Sequence, residues 1–566
     1  WIKLSTPSGT IPPEGLTLAF TLDPSALRFG SNYGDITIDL AGGATTKSEA
    51  REGLDGTGTT TVPVSVTIVT PVTKQGKSAP PPDALIIPAV IHAPGANESK
   101  WRSDIRILNP SAQAAQVQVT FTPTVTDGTA SGYKSTISIG AGESTALDAV
   151  LRDWFGLSSF GASVSGSLEV RPLVSGTSSS NPLSGKKTLP LVGSSRTYNE
   201  TASGTFGQFV PAVPFRDFVG ASTATGASST KLSVQQVAHS SQYRTNVGVV
   251  EGAGEKATVT ISAYDRTGTK LTSVERALVP GQHLQINGLL QSTPTDDGRL
   301  EIEVTSGSGK VYAYGSVVDN RTNDPILVHA VSLDDAATDH QVLAGIADYD
   351  TGLASWRSDV RLYNAEATAQ TATLTFYPSL DPASSKSIQV SLDPGEIEAL
   401  DDVLDASFGV TNGGGAIHVR TAAAAKVIAS ARTYNKTSNG TYGQFLPAFR
   451  EEDGIGEGDP PLQILQLEQS KRYRTNIGLF EISGKAATVE ISAVIPGSAL
   501  TAKYPPVELD PYEFIQLVGP LKSMGTGSSY NTRVSVRVKD GDGVVAAYAS
   551  VIDETTQDPI YVPSQQ

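Results

Sequence analysis

Apolar and polar residues alternate along most of this chain. Residues 116–121, 257–262, 371–376, 488–492 and 533–538 each place every second side chain on an apolar face. That is the period of a half-buried strand. Clusters of Gly, Pro, Asn and Asp punctuate these runs at short intervals, and Asp540-Gly541-Asp542-Gly543 predicts a hairpin turn. Two stretches depart from the alternation. Leu147, Val150, Leu151, Trp154 and Phe155 fall at helical spacing, as do Leu400, Val403, Leu404 and Phe408. Each predicts a short amphipathic helix plugging one end of its unit, with Glu143 or Glu396 near the positive N-terminal end. The pattern predicts an all-β chain, a multidomain array of Ig-like β-sandwich domains with short helices in the first and third repeat units.

The pattern also repeats. Trp101-Arg102-Ser103-Asp104 returns as Trp356-Arg357-Ser358-Asp359, and Tyr243-Arg244-Thr245-Asn246 as Tyr473-Arg474-Thr475-Asn476. Arg196-Thr197-Tyr198-Asn199 with Gly204-Thr205-Phe206-Gly207-Gln208-Phe209 returns as Arg432-Thr433-Tyr434-Asn435 with Gly440-Thr441-Tyr442-Gly443-Gln444-Phe445. Ser316-Val317-Val318-Asp319, leading to Asp324-Pro325-Ile326, returns as Ser550-Val551-Ile552-Asp553, leading to Asp558-Pro559-Ile560. The Trp and Tyr landmarks resemble each other, so each half holds two related units. The expected organisation is an N-terminal module at 1–73 and a Pro-containing linker at 74–82. Sandwiches A1 (83–215), B1 (216–333), A2 (334–450) and B2 (451–566) follow.

Composition narrows the class. The net charge of −15 disfavours nucleic acid and anionic membrane surfaces, and no apolar run approaches the length of a membrane span. With 0 Cys there is neither a disulfide framework nor a thiolate metal site. One Met and only 17% charged residues, with abundant Ser, Thr and Gly, fit an exported bacterial protein at the cell surface or outside it. Because Trp1 rather than Met comes first, a processed product or a segment of a longer precursor is expected.

Residues 1–73 carry Ser8-Gly9-Thr10-Ile11, Asp23-Pro24, Tyr33-Gly34-Asp35-Ile36-Thr37-Ile38 and Val62-Pro63-Val64-Ser65-Val66. This module resembles a BACON-type immunoglobulin-like domain, a family of exported bacterial proteins often proposed to bind carbohydrate or mucin. The four larger units resemble tandem β-domains of uncharacterised secreted bacterial surface proteins, which implies location and fold but no activity. The resemblance also implies one or two strands ahead of Trp1. The module is therefore expected to have an open edge formed around Trp1, Ile36, Ile38, Val64, Val66 and Ile68. Residues preceding Trp1, another part of the chain, or a strand from a neighbouring molecule would fill it. Pro559, Ile560, Tyr561, Val562 and Pro563 form a candidate donor strand.

Catalytic signals are weak. The six histidines form no zinc-type pair, and there is no Gly-x-Ser-x-Gly elbow, P-loop or dinucleotide fingerprint. A triad assembled only in space stays open. It would need one repeat copy to carry polar residues that its twin lacks. The paired acidic loops holding Asp319, Asp324, Asp553 and Asp558 could hold Ca²⁺, although Asp and Asn before proline also shape turns. The alternating Arg102, Asp104 and Arg106, repeated as Arg357, Asp359 and Arg361, read as a cross-strand charge ladder or as a site for a carboxylate or sugar. Tyr198, Phe206, Tyr434 and Tyr442 could stack on sugars or pack the core. No cofactor is expected. The leading expectation is a non-enzymatic structural or adhesive surface protein that self-associates into a homopolymer. The alternative is a carbohydrate-binding accessory array recognising surface glycans.

Overall fold

The computed structural model describes residues 2–4, 20–23, 27–40, 58–94, 100–157, 163–173, 190–201, 204–222, 230–352, 354–495 and 501–566. Strand outweighs helix by 61% to 5%, as the alternation predicts. B2 shows the plan most simply. Leu462–Gln469, Ala487–Val494, Thr501–Lys503, Val507–Leu509 and Ser529–Asp540 form one antiparallel sheet. Tyr473–Glu481, Phe514–Val518, Val545–Asp553 and Pro559–Pro563 form the other. The alternating residues Ile464, Val489, Ile491, Val534 and Val536 meet Ile477, Leu479 and Ala547 in the core. B1 repeats this plan. There the strand Pro325–Ser332 pairs with both Lys231–His239 and Lys310–Asp319, joining the two sheets.

In the A units the landmark strands are Lys100–Leu108 and Ser355–Asn364. Each pairs with the first arm of a long hairpin, Val192–Thr201 with Gly204–Pro211 in A1 and Val427–Thr437 with Gly440–Pro447 in A2. Register places Asp104 opposite Arg196 and Asp359 opposite Arg432, so the charged face is a cross-strand ladder.

The helices are shorter than their sequence period. They span Val150–Asp153 and Val403–Phe408, while Leu147 and Leu400 end the strands Ser144–Leu147 and Ile397–Leu400. Ala149 and Asp402 adopt left-handed φ of 41° and 46°, which breaks strand from helix, so Glu143 and Glu396 precede strands instead of helices. Leu151, Trp154 and Phe155 are still buried in the A1 core. A further short helix, Pro520–Ser523, lies in B2, where none was expected. The turn 540–543 joins the two sheets of B2 and closes no hairpin, because Ser529–Asp540 and Val545–Asp553 pair with other strands. The segment expected as a linker is packed. Thr73–Lys74 pairs with Tyr133 and Lys134, and buried Lys77 donates to the Gly252 carbonyl of B1 (2.7 Å).

One buried polar position recurs in every unit, eight residues after the landmark aromatic. In the A units it is Asn, whose amide donates to three carbonyls: Asn109 to Gln113, Ile139 and Gly140, and Asn364 to Thr368, Leu392 and Asp393. In the B units it is Glu, whose carboxylate accepts five backbone N–H groups. Glu251 takes those of Ala253, Gly254, Glu255, Gly281 and Lys310, at 2.7 to 3.2 Å. Glu481 takes those of Ser483, Gly484, Lys485, Tyr512 and Val544, at 2.6 to 3.2 Å. Buried backbone groups need such partners, and here one side chain ties three loops together.

Candidate functional site at the junction of the four units

The four sandwiches close on one another. A1 and B1 share core packing through Tyr314 and Leu327, and A2 and B2 share it through Phe480, Phe514, Tyr548 and Tyr561. Other contacts cross between the halves. Phe209 of A1 enters the B2 core and Phe445 of A2 enters the B1 core. At the centre, Phe206 stacks on Tyr442 with ring centroids 5.7 Å apart. These aromatics therefore pack against each other and are not open platforms for sugars.

The acidic loops are the latches. Asp553 accepts the Thr205 N–H (3.0 Å) and Asp558 the Gly207 N–H (3.1 Å). Asp319 accepts the Thr441 N–H (3.0 Å) and Asp324 the Gly443 N–H (2.9 Å). Asp319 and Asp553 also accept N–H groups of their own turns, from Arg321 and Thr322 and from Thr555 and Thr556. Oxygens aimed at N–H donors in this way have the geometry of a turn cap. Among the described residues no group of three or more His, Asp or Glu is arranged for a metal ion. Gly204 and Gly440, both at φ +130°, let the hairpin tips approach, since a Cβ at Gly440 would sit 2.9 Å from Asp319 Oδ1.

Asp324 and Asp558 are neighbours at the junction, each 1% exposed. Each keeps one oxygen, Oδ1, with no donor among the protein's N–H and O–H groups. Burial, then the neighbouring carboxylate, pushes the Asp558 carboxyl well above the usual range, and burial does the same at Asp324. Two buried neighbouring carboxyls cannot both ionise without cost, which favours keeping a proton on the pair.

Beside each latch an arginine is held between two tyrosines. Arg432 lies 4.8 and 4.9 Å from the Tyr434 and Tyr243 rings, and Arg196 lies 4.8 and 5.1 Å from Tyr198 and Tyr473. Each opens on a cleft between the halves, one of 720 Å³ between B1 and A2 and one of 460 Å³ between B2 and A1. The first is balanced internally, because Arg361 pairs with Asp297 and Asp401, and Arg357 with Asp348, Asp350 and Asp402. In the second, Glu468 stands where B1 has Ala238, and burial pushes its carboxyl up to about 7.

The N-terminal module enters at this second seam. Its strands Gly30–Leu40 and Gly58–Ile68 form a hairpin, holding Ile36 and Ile38 on one arm and Val64, Val66 and Ile68 on the other. Trp1 lies outside the described residues. Ile2–Leu4 pairs with Phe20–Leu22. Tyr33 donates to Asp148 and accepts from Arg106 (3.3 Å), and its ring stacks on Tyr530 of B2 at 6.1 Å. The hairpin thus spans the A1–B2 seam. Pro559–Pro563, expected as a free donor, pairs along its length with Val545–Asp553 inside B2, and Ile560, Tyr561 and Val562 are buried there. One side of its ladder and its apolar side chains are committed inside B2, so the segment is not the free strand that was expected.

His340 and His418, which have no repeat counterparts, face each other, with Nε2 to Nδ1 at 3.0 Å. Sequence reading missed the Asn109, Glu251, Asn364 and Glu481 position. The signal was present as a constant offset of eight from each landmark aromatic. Tyr33 carried no such signal, because the module holding it is not repeated.

No family model matches the chain, and no curated protein sequence does. A solved structure described as "Biofilm associated protein - BSP domain" aligns at 8% identity over 88% of this chain and 96% of that one, with a TM-score of 0.12. A likeness at that level carries no argument about fold or role.

Proposed function

We propose that this chain is a non-enzymatic, extracellular structural and adhesive protein, built as a compact block of four sandwiches. The observation that carries the reading is the closed junction, in which the last strands of all four units pack together and the halves latch reciprocally through Asp319, Asp324, Asp553 and Asp558. Buried buttressing of this kind suits a load-bearing module. Self-association, in this reading, uses the N-terminal hairpin, whose outer edges have no ladder partner among the described residues.

Small-angle scattering checks the block directly. A closed ring of this length has a radius of gyration of about 25 Å. A much larger value, with separate lobes in electron micrographs, refutes it. Concentration-dependent assembly, followed by sedimentation, is expected to disappear when residues 1–73 are removed, while the four sandwiches keep their unfolding transition. Assembly that survives the deletion excludes the hairpin as the contact.

A further inference from the structure

The repeats supply an internal comparison for one arginine. It occupies the position after the landmark aromatic in all four units. Arg102 pairs with Glu200 (2.9 Å), Arg357 with Asp350 (3.1 Å) and Arg474 with Glu554 (2.6 Å). Arg244 has no carboxylate partner among the described residues. Its guanidinium donates only to the side-chain carbonyls of Asn320 (2.8 Å) and Asn323 (3.3 Å), because Asn320 stands where the twin has Glu554. Two of five N–H groups are used, and the nearby Asp319 carboxylate acts on the charge without an ion pair, which leaves donors free for an incoming anion.

Arg244 lines a 750 Å³ cleft between A1 and B1 that no carboxylate lines among the described residues. One wall is the half-buried Trp101 of A1. The other is a sheet face of B1. Register sets Asn246 opposite Asn287, and alternation brings Gln285 to the same face, with Gln291 just beyond. Asn246 and Gln291 make no side-chain hydrogen bond among the described residues, and Gln285, Asn287 and Gln291 are exposed. The twin positions read differently. Asn287 is replaced by Val518, Gln291 by Lys522, and His283 by Phe514, which is buried in the joint A2–B2 core. Asn246 and Gln285 are kept as Asn476 and Gln516, so the two copies differ at Asn287, Gln291 and His283.

The geometry points to the A1–B1 cleft as a binding site for a saccharide bearing a carboxylate. Arg244 takes the carboxylate, the amides of Asn246, Asn287 and Gln291 take ring hydroxyls, and Trp101 offers its face to the sugar ring. An uncharged sugar leaves Arg244 without an ion pair, and a non-saccharide anion leaves the amides and the indole unused. The site goes beyond the structural reading above and does not depend on it.

Calorimetric titration of the full chain tests this, with trigalacturonate against its methyl ester and sialyllactose against lactose. Saturable binding at millimolar or lower concentration is expected for at least one acid, with roughly tenfold or greater preference over its uncharged partner. Asn320→Glu restores the twin's ion pair on Arg244 and is expected to abolish binding while leaving the melting temperature unchanged or higher. Asn287→Val, which installs the surface residue of the twin, is expected to weaken binding severalfold. Absence of saturable binding by both acids, equal affinity for acid and uncharged partner, or unaltered binding in Asn320→Glu overturns the proposal. Scattering on the same samples reports separately on the closed block.

Discussion

Glu481→Gln is expected to lower the stability of its sandwich by about 3–5 kcal/mol, and Glu251→Gln to do the same in B1. Each carboxylate is fully buried and accepts five backbone N–H groups from three separate loops. Glutamine keeps one acceptor oxygen and turns an NH₂ group toward N–H donors. Several buried donors are then orphaned, at about 1–3 kcal/mol each before relaxation. The equivalent Asn109→Asp in A1 fails for the opposite reason, since it offers acceptor oxygens to three carbonyls. Denaturant titration of each variant, with hydrogen exchange to identify the unit that opens, measures the loss. A change below about 1 kcal/mol in both glutamate variants means that these side chains do not organise their loops.

Raising the pH is expected to loosen the junction, with the change concentrated between the ordinary carboxylate range and mildly alkaline values. Burial, and at Asp558 the neighbouring carboxyl, raise both groups in the closed form, which favours keeping a proton there that separated, solvated aspartates release. A group whose pKa is raised in the closed state stabilises it fully at low pH and loses that contribution as pH climbs through the raised value. The slope is at most about 1.4 kcal/mol per pH unit for one proton. The groups facing the pair are Arg196, Arg432, Asp319, Asp553 and Tyr442. Asp553 works in the opposite sense. Burial raises its carboxyl, but N–H donors from Thr205, Thr555 and Thr556 outweigh this and hold it below the usual range. Its contribution is lost only in strong acid, so closure is tightest in the mildly acidic region. Asp558→Asn replaces the retained proton with a permanent N–H. Hydrogen exchange at Gly207 and Gly443, or scattering from pH 5 to 9, is expected to show opening in the natural chain and none in this variant. Equal protection of those amides across the range in both chains refutes the retained proton.

The fold was legible because period-two alternation survives wherever one strand face is buried. The helices were overextended because Leu147 and Leu400 fit the helical period, while the left-handed residues Ala149 and Asp402 leave no trace in hydrophobicity. That Arg102, Asp104 and Arg106 share one strand face followed from alternation, while the placement of Arg196 opposite Asp104 did not. The acidic loops were recognised as repeated, but their partners lie in the opposite half of the chain, more than 100 residues away, and local spacing carries no such information. The same limit made Pro559–Pro563 look free when its apolar residues were already spent on B2. Arg244 was missed for a different reason. The landmark strand is the same in all four copies, and the informative change, Asn320 for Glu554, lies in a turn that draws attention for its aspartates.

The reciprocity of the latches has an evolutionary reading. Asp553 grips Thr205 as Asp319 grips Thr441, and Asp558 grips Gly207 as Asp324 grips Gly443. Phe206 meets its own counterpart Tyr442, and Asp324 meets Asp558, as residues on a dyad must. That is the signature of an isologous interface, residue i to j and j to i. The chain has the form of a homodimer of A–B halves written onto a single polypeptide. Once fused, the two halves no longer had to stay alike. One A–B cleft could fill with aromatics while the other kept Arg244 without an ion pair.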